Sequence, residues 1–350
     1  MSVALELRWR VVRWPVQLGA FVAPGMATGV REAVLVEARG ADGVGGLGEA
    51  APLPGRSRDD IADVERALAA LAVRAPFGVS EVADVWRIAA EVDPDAPAAC
   101  FAVEVALLDV LARRAGCDVA RLLNADAPDA VPTAIVVGDA AAARAAWAAG
   151  ARCLKVKVGA GRREDERPRL ERIAAAAPGA RLRLDANQAW PEAEVAARMA
   201  ALADLPIDFV EEPCANLARL IGTPLALPVG LDESLAESDP ATLDALLTWP
   251  AVGALVLKPT ILGGVGRCRA LAARARGPVI ISHALEGPLG TAACAELARA
   301  LGRDAAAGVG AHPALAGWPI GVPQIAGGWI RRAAAAGLGL GALGLAEVGP

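Results

Sequence analysis

This 350-residue sequence has no block of lysines and arginines, and its formal net charge is −5. Mild acidity without a basic stripe argues against a nucleic-acid-binding surface. A C-x-x-C pair is absent too. The six cysteines (Cys100, Cys117, Cys153, Cys214, Cys268 and Cys294) are scattered. That fits small, reduced, buried residues rather than a disulfide framework or a zinc cluster. Even Cys214, directly after a Glu-Glu-Pro run, reads as structural rather than nucleophilic. The longest apolar and glycine-rich stretch, Ala333 to Ala346, is too short and too rich in glycine to span a bilayer, so a docked tail is expected there. The opening MSVALELRWRVVRW carries charges throughout and has no apolar core of signal-peptide type, so a cytoplasmic protein is expected. Two glycine-rich turns, Gly159-Ala160-Gly161 and Gly263-Gly264-Val265-Gly266, match neither the P-loop nor G-x-G-x-x-G. They read as ordinary strand-to-helix turns.

What is present is a long, 55% hydrophobic chain, enough for one large domain plus a smaller one. The first part opens with strand-like runs: ALELRWRVVRW, then REAVLVEARG and GVGGLGEAAPL joined around the turn Ala41-Asp42-Gly43. Helical patterns follow over Asp59–Val73, Ser80–Val92 and Pro97–Ala115, with Ser80 as the expected N-cap of the second. Strands first and helices afterwards predict a small α+β domain.

From about Ala130 the pattern turns to regular alternation. Strands are expected at Thr133–Val137, Cys153–Val158, Arg181–Asp185, Asp208–Glu211, Ala226–Leu231, Ala254–Leu257 and Val279–Ser282. Alanine-rich helical stretches such as Ala141–Ala148, Glu192–Ala203 and Ala241–Leu247 lie between them. This predicts a parallel (β/α)7β TIM-like barrel with an α+β capping domain, an eighth strand being unclear near Ala306–Gly310. An open doubly wound sheet is the alternative, because periodicity does not register closure. The expected division is 1–125 for the capping domain and 126–318 for the catalytic barrel. Residues 319–350 form a C-terminal tail returning to the cap.

Charged residues close the apolar strands. Lys157, Asp185, Glu211, Asp232 and Lys258 are spaced by 28, 26, 21 and 26 residues, about one strand plus one helix each. Strand ends of a β/α barrel converge on one mouth, so these residues are expected to meet. Lys155 and Lys157 share a strand face, as do Arg183 and Asp185. Val156, Val158, Leu182 and Leu184 suit the dry helix layer, which leaves the charged set facing the barrel interior. Asp185, Glu211 and Asp232 are the expected metal ligands. No His or Cys accompanies them at ligand spacing, which favours Mg²⁺ over zinc. Glu212 and Glu233 point away from their neighbours and are expected behind the ligands, pairing with nearby lysines. Lysine acts as a base only if its pKa falls from about 10.4 to near neutral. Burial, Lys155 two residues away and a divalent cation would all push Lys157 that way. Lys258 would stand opposite, with a salt bridge to a ligand carboxylate as the simpler reading. His283 falls at the mouth end of the seventh strand and is expected to contact substrate, whereas His312 is expected to be structural.

In this order the motifs resemble the enolase superfamily in its muconate-lactonizing subgroup, and within it the o-succinylbenzoate synthases. GLGEAAPLPG looks like the capping strand and turn, and AVEVALLDVLARRAG like the helix entering the barrel. KVKVG carries the K-x-K pair, LRLDANQAW, FVEEPC and LDES the ligand positions, and LVLKPT the second lysine. Nearly the whole chain is covered. Enolase-superfamily sites are a known instance of a Lys base beside bound Mg²⁺, so that pairing follows from the resemblance.

The resemblance implies Mg²⁺, with Mn²⁺ able to substitute, and a small-molecule carboxylate as substrate. No nucleic-acid or membrane partner is expected, and the chain would be a monomer or homo-oligomer. It implies a hydro-lyase that dehydrates 2-succinyl-6-hydroxy-2,4-cyclohexadiene-1-carboxylate to o-succinylbenzoate, in menaquinone biosynthesis. Lys157 would be the base, Lys258 the opposing cation, and Lys155 their partner. Substrate contacts would come from Arg183, Asn187, Ser282, His283 and Glu286, with Glu212 and Glu233 behind the ligands. The loop Gly19–Gly29 would be a lid. An N-succinylamino acid racemase or a muconate-type cycloisomerase on the same scaffold is the alternative. From another class, a catalytically silent barrel is disfavoured by the complete acid–base set. The Ser-rich loop often seen after the seventh strand reads Ser282-His283-Ala284 here.

Overall fold

The computed structural model describes residues 3–15, 29–302, 305–310 and 325–341. Strands β1 (Val3–Pro15), β2 (Val30–Gly40) and β3 (Gly45–Ala50) form an antiparallel meander. The expected β2–β3 turn is there, with Gly43 taking the left-handed conformation at φ +82°. Helix α1 (Ile61–Ala72) begins with a capping box between Asp60 and Asp63. Strand β4 (Phe77–Val79) then pairs with Val3–Leu5, giving the sheet order β3-β2-β1-β4. Helix α2 (Val82–Ala89) starts after Glu81 rather than after Ser80, the expected cap. The reason is Asp84, whose carboxylate accepts from Ser80 N, Ser80 Oγ and Glu81 N.

Helix α3 (Pro97–Ala115) is buried on nearly every side and joins the two halves of the molecule. The sheet lies directly against it. A Cβ on Gly48 would sit 2.0 Å from Ala102 O, so only glycine permits this approach. One continuous apolar cluster runs from Leu5 and Val34 through Phe101 and Leu107 to Leu154, Leu182 and Leu255.

Helix α4 (Val119–Leu123) and strand β5 (Ala130–Pro132) lead into the barrel. Its strands and helices alternate as β6 (Ile135–Val136), α5 (Ala140–Ala148), β7 (Cys153–Lys157), α6 (Arg163–Ala176), β8 (Arg181–Asp185), α7 (Val195–Leu202) and β9 (Ile207–Glu211). They continue as β10 (Val229–Leu231), α8 (Ser234–Glu237), α9 (Pro240–Thr248), β11 (Val252–Leu257), α10 (Pro259–Leu262), α11 (Val265–Arg274), β12 (Val279–Ile281) and α12 (Pro288–Leu301). All seven expected strands fall on β6–β12, which form one parallel sheet in sequence order.

Closure comes from the segment left unclear in the sequence. Ala307 bridges Thr133 at one edge and Gly308 bridges Ser282 at the other, both in parallel. The barrel is therefore closed, not an open sheet. Strands β13 (Ile325–Ala326) and β14 (Trp329–Arg331) join β5 in a small antiparallel sheet. Beyond them Leu338 N donates to Asp109 on α3 at 2.8 Å, so the described tail does reach the cap. The loop Gly19–Gly29 lies, apart from Gly29, outside the described residues, as does His312. Among the described residues no helix is long and apolar enough to cross a membrane.

Candidate active site

The register of the parallel sheet explains why the charged residues meet. Lys157 stands beside Asp185 in the β7–β8 ladder, Asp185 beside Glu211, and Glu211 beside Gly230, two residues before Asp232. Neighbours in a parallel ladder project to the same face. Lys155 comes from one layer deeper and reaches up, its Nζ 2.8 Å from Asp185 Oδ2 and 2.8 Å from both Glu211 carboxylate oxygens. Lys157 Nζ lies 3.2 Å from the same Asp185 oxygen and also donates to Asn187 Oδ1. Lys258 donates to Asp232 Oδ2, the simpler reading of that lysine.

The three carboxylates are almost completely buried. Burial alone would raise the Asp185 carboxyl, but Lys155 and Lys157 hold it well below the usual carboxylate range. Glu211 goes the other way, pushed up to about 8 by burial and by neighbouring Asp185. Burial also raises Asp232. At Lys155 and Lys258 burial favours the neutral amine, yet the carboxylates outweigh it and raise both. These two lysines are cations clamped by acids. The downward push expected from burial does not prevail at either of them.

Among the described residues no group of three or more His, Cys, Asp and Glu stands ready to hold a metal ion. The Lys155 ammonium bridges Asp185 and Glu211, and the Lys258 ammonium takes Asp232. The donor chemistry suits a hard divalent cation, since all three are buried carboxylates offering only oxygen donors, and such an ion would have to displace the two ammonium groups.

The remaining sequence candidates separate. Glu212, at φ +38°, does not pair with a lysine. Its Oε1 accepts from Asp232 N (2.7 Å) and Ser234 N (2.9 Å), and Oε2 from Ser234 Oγ (2.8 Å). It fixes the turn that carries Asp232, and burial pushes it up to about 8. Glu233 ion-pairs with Arg56 at 3.4 Å and also raises the pKa of Lys258. Asn187, Ser282 and His283 line the same cavity as Lys155, Lys157, Asp185, Asp232 and Lys258.

Two expected substrate contacts are elsewhere. Arg183 sits two residues before Asp185, which places it ~7 Å deeper at about 3.3 Å per residue. There it stacks 5.3 Å from the Phe209 ring centre and donates to Ala306 O, holding the closing strand. Glu286 is fully buried and accepts from Ala284 N at 2.6 Å, behind the cavity wall.

The cavity is about 900 Å³ and has a roof the motifs did not reveal. Leu53 and Arg56, from the loop after β3, line it together with Ile261 of α10 and Leu285 of the loop before α12. The only signal was Pro54-Gly55, which marks a turn but not which way it folds.

Comparison with known proteins gives the family of the chain. Residues 6–124 match the family described as mandelate racemase/muconate lactonizing enzyme, N-terminal domain, and residues 138–342 match enolase C-terminal domain-like. The o-succinylbenzoate synthase of Mycobacterium tuberculosis (strain H37Rv) is 36% identical over 167 residues, 46% of this chain and 50% of the relative. The chain thus spans about half the length of the first curated relatives it matches. The enzyme of that name from Enterobacter sp. (strain 638) is 31% identical over 266 residues, 72% of this chain and 74% of the relative. A dipeptide epimerase from Methylococcus capsulatus, crystallised with Mg and the dipeptide L-Arg-D-Lys, superposes with a TM-score of 0.82. It is 26% identical, over 97% of this chain and 99% of the other. A muconate lactonizing enzyme from Pseudomonas fluorescens, complexed with muconolactone, gives 0.79 at 24% identity over 97% of each chain, a likeness of fold alone. With both its cap and its barrel matched, the chain belongs to the enolase superfamily, in the branch of mandelate racemase and muconate lactonizing enzyme.

Proposed function

We propose that the protein dehydrates 2-succinyl-6-hydroxy-2,4-cyclohexadiene-1-carboxylate to o-succinylbenzoate, a step toward menaquinone. The observation that carries this reading is the unequal treatment of three lysines in one cavity. Lys155 is held by two carboxylates and Lys258 by Asp232, while the Lys157 side chain remains 46% exposed. Lys157, although it touches Asp185 and Asn187, is therefore the lysine most open to a substrate in the cavity. Relatives that carry the synthase name support the choice of reaction.

Asp185, Glu211 and Asp232 would hold Mg²⁺, which supplies positive charge against the negative charge building on the substrate carboxylate. Mg in the related epimerase structure supports that assignment. Lys157 removes the α-proton, and the C–H electron pair becomes the new double bond. The same ammonium then protonates the departing hydroxyl, which leaves as water from the same face. Lys258 stays cationic and faces the developing ring, where a cation–π contact adds to its effect. Ile261 and Leu285 line the cavity, and their apolar side chains would keep water from the reacting carbon.

Racemisation of N-succinylamino acids is the second reading, because Lys157 and Lys258 supply a proton-transfer group from different strands. A substrate panel assayed with and without Mg²⁺ decides between them. Efficient o-succinylbenzoate formation only with the metal is expected, with any racemisation slower in kcat/KM. Efficient racemisation with no o-succinylbenzoate would replace the dehydratase reading.

A further inference from the structure

Lys157 has a second partner, and that partner is not isolated. Its Nζ donates to Asn187 Oδ1, Asn187 Nδ2 donates to Glu233 Oε1 at 3.3 Å, and Arg56 Nη1 meets the same Glu233 oxygen at 3.4 Å. Arg56 belongs to the loop after β3 of the capping domain, whereas Asn187 and Glu233 follow β8 and β10 of the barrel. All four residues line the same cavity. We infer that Arg56, Glu233 and Asn187 form a positioning relay for Lys157, through which the docked capping loop sets where the catalytic amine stands. This rests on the reading of Lys157 as the base.

Each link has a chemical direction. The Lys157 ammonium only donates, so the amide oxygen of Asn187 faces Lys157 and its NH₂ faces a carboxylate. Glu233 is that carboxylate, and Arg56 supplies the opposite charge that holds it in place. Aspartate at 187 would set two carboxylates against each other, and leucine would offer Lys157 nothing. Both protonation states of Lys157 keep an N–H for Asn187 Oδ1, so the contact persists when the proton moves.

The backbone is built to hold this amide. Asn187 and Gln188 take left-handed conformations at φ +42° and +65°, which is tolerated by asparagine but uncommon for glutamine. Asn187 N donates to Asp185 Oδ1 at 3.0 Å, and Gln188 N to Glu212 O at 2.8 Å. Without Asn187, the ion pair of Lys157 with Asp185 at 3.2 Å draws it toward the carboxylates and away from the open cavity. Arg56 is a positioning residue in this arrangement. Its guanidinium acts on the reaction through two intervening side chains.

The test uses the full chain with Mg²⁺ and measures kcat and KM for Arg56→Met, Arg56→Lys, Asn187→Leu and the double variant Arg56→Met/Asn187→Leu. Asn187→Leu is expected to lower kcat on the order of 100-fold, the cost of a displaced catalytic group. Arg56→Met should lower kcat about tenfold with KM within about twofold of wild type. Arg56→Lys should recover part of that loss, and the double variant should be no worse than Asn187→Leu alone. A raised KM with unchanged kcat in Arg56→Met would make Arg56 a substrate contact and end the relay, as would multiplying losses in the double variant. If the wild type forms no o-succinylbenzoate, the dehydratase reading fails by itself. The same ratios are then read from α-deuterium incorporation into N-succinylamino acids. A crystal structure of Asn187→Leu with Lys157 Nζ unmoved would overturn the relay whatever the substrate.

Discussion

Lys155 and Lys157 leave β7 on the same face, yet their surroundings divide them. Lys155 touches Asp185 and both oxygens of Glu211, while Lys157 shares only Asp185 and opens to the cavity. Removing a partner from a buried ion cluster leaves charge uncompensated, at a cost of about 3–5 kcal/mol. Lys155→Ala is therefore expected to lower the unfolding free energy by that amount. Lys157→Ala leaves Asp185 still paired with Lys155, so it should change the unfolding free energy less than Lys155→Ala does, and still lose essentially all turnover. Denaturant unfolding and a turnover assay on the two variants check this, and an active Lys157→Ala would end the assignment of the base. At this scale the sequence showed which residues are charged and which face they share. It did not show depth. Arg183 and Asp185 follow the same alternation, but one holds the closing strand and the other lies at the mouth. Arg56 carried no mark at all, since Glu233 lies far along the chain.

Two helices of the barrel begin on carboxylates supplied by the cap. Glu104 of α3 accepts from Val265 N and Gly266 N at the start of α11. Glu49 of β3 accepts from Gly287 N and Gly290 N at the start of α12. The first turn of a helix leaves amides without partners, and these glutamates satisfy them. The contacts span 161 and 238 residues of sequence, so no local pattern announced them. Strand and helix positions were legible because they depend on local periodicity, whereas domain docking depends on distant pairs. Burial pushes both glutamates up to about 7. A raised acid binds its proton more tightly in the folded state, so its stabilising share is complete below about 4.5 and is lost as pH rises to about 7. Glu104→Gln is expected to flatten that part of the stability–pH curve, measured by thermal unfolding. An unchanged slope would place the titration elsewhere. Glu104→Ala, which removes the acceptors outright, should cost about 1–2 kcal/mol, as for a lost helix cap.

At the scale of the whole molecule, the closed barrel turns residues far apart in sequence into one cavity roofed by the cap. The even spacing of Lys157, Asp185, Glu211, Asp232 and Lys258 made that convergence legible beforehand. Closure was not legible, because the segment that completes the ring makes isolated bridges at Ala307 and Gly308 rather than a patterned strand. The roof was not legible either. Asp185, Glu211 and Asp232 are expected to act together as one cation site whose charge the lysines balance. A crystal structure grown with Mg²⁺ tests it most directly. One ion is expected with an oxygen of each carboxylate at about 2.0–2.2 Å, and with the Lys155 and Lys258 ammonium groups displaced from them. An ion bound elsewhere, with Lys155 still bridging Asp185 and Glu211, would rule out that cation site.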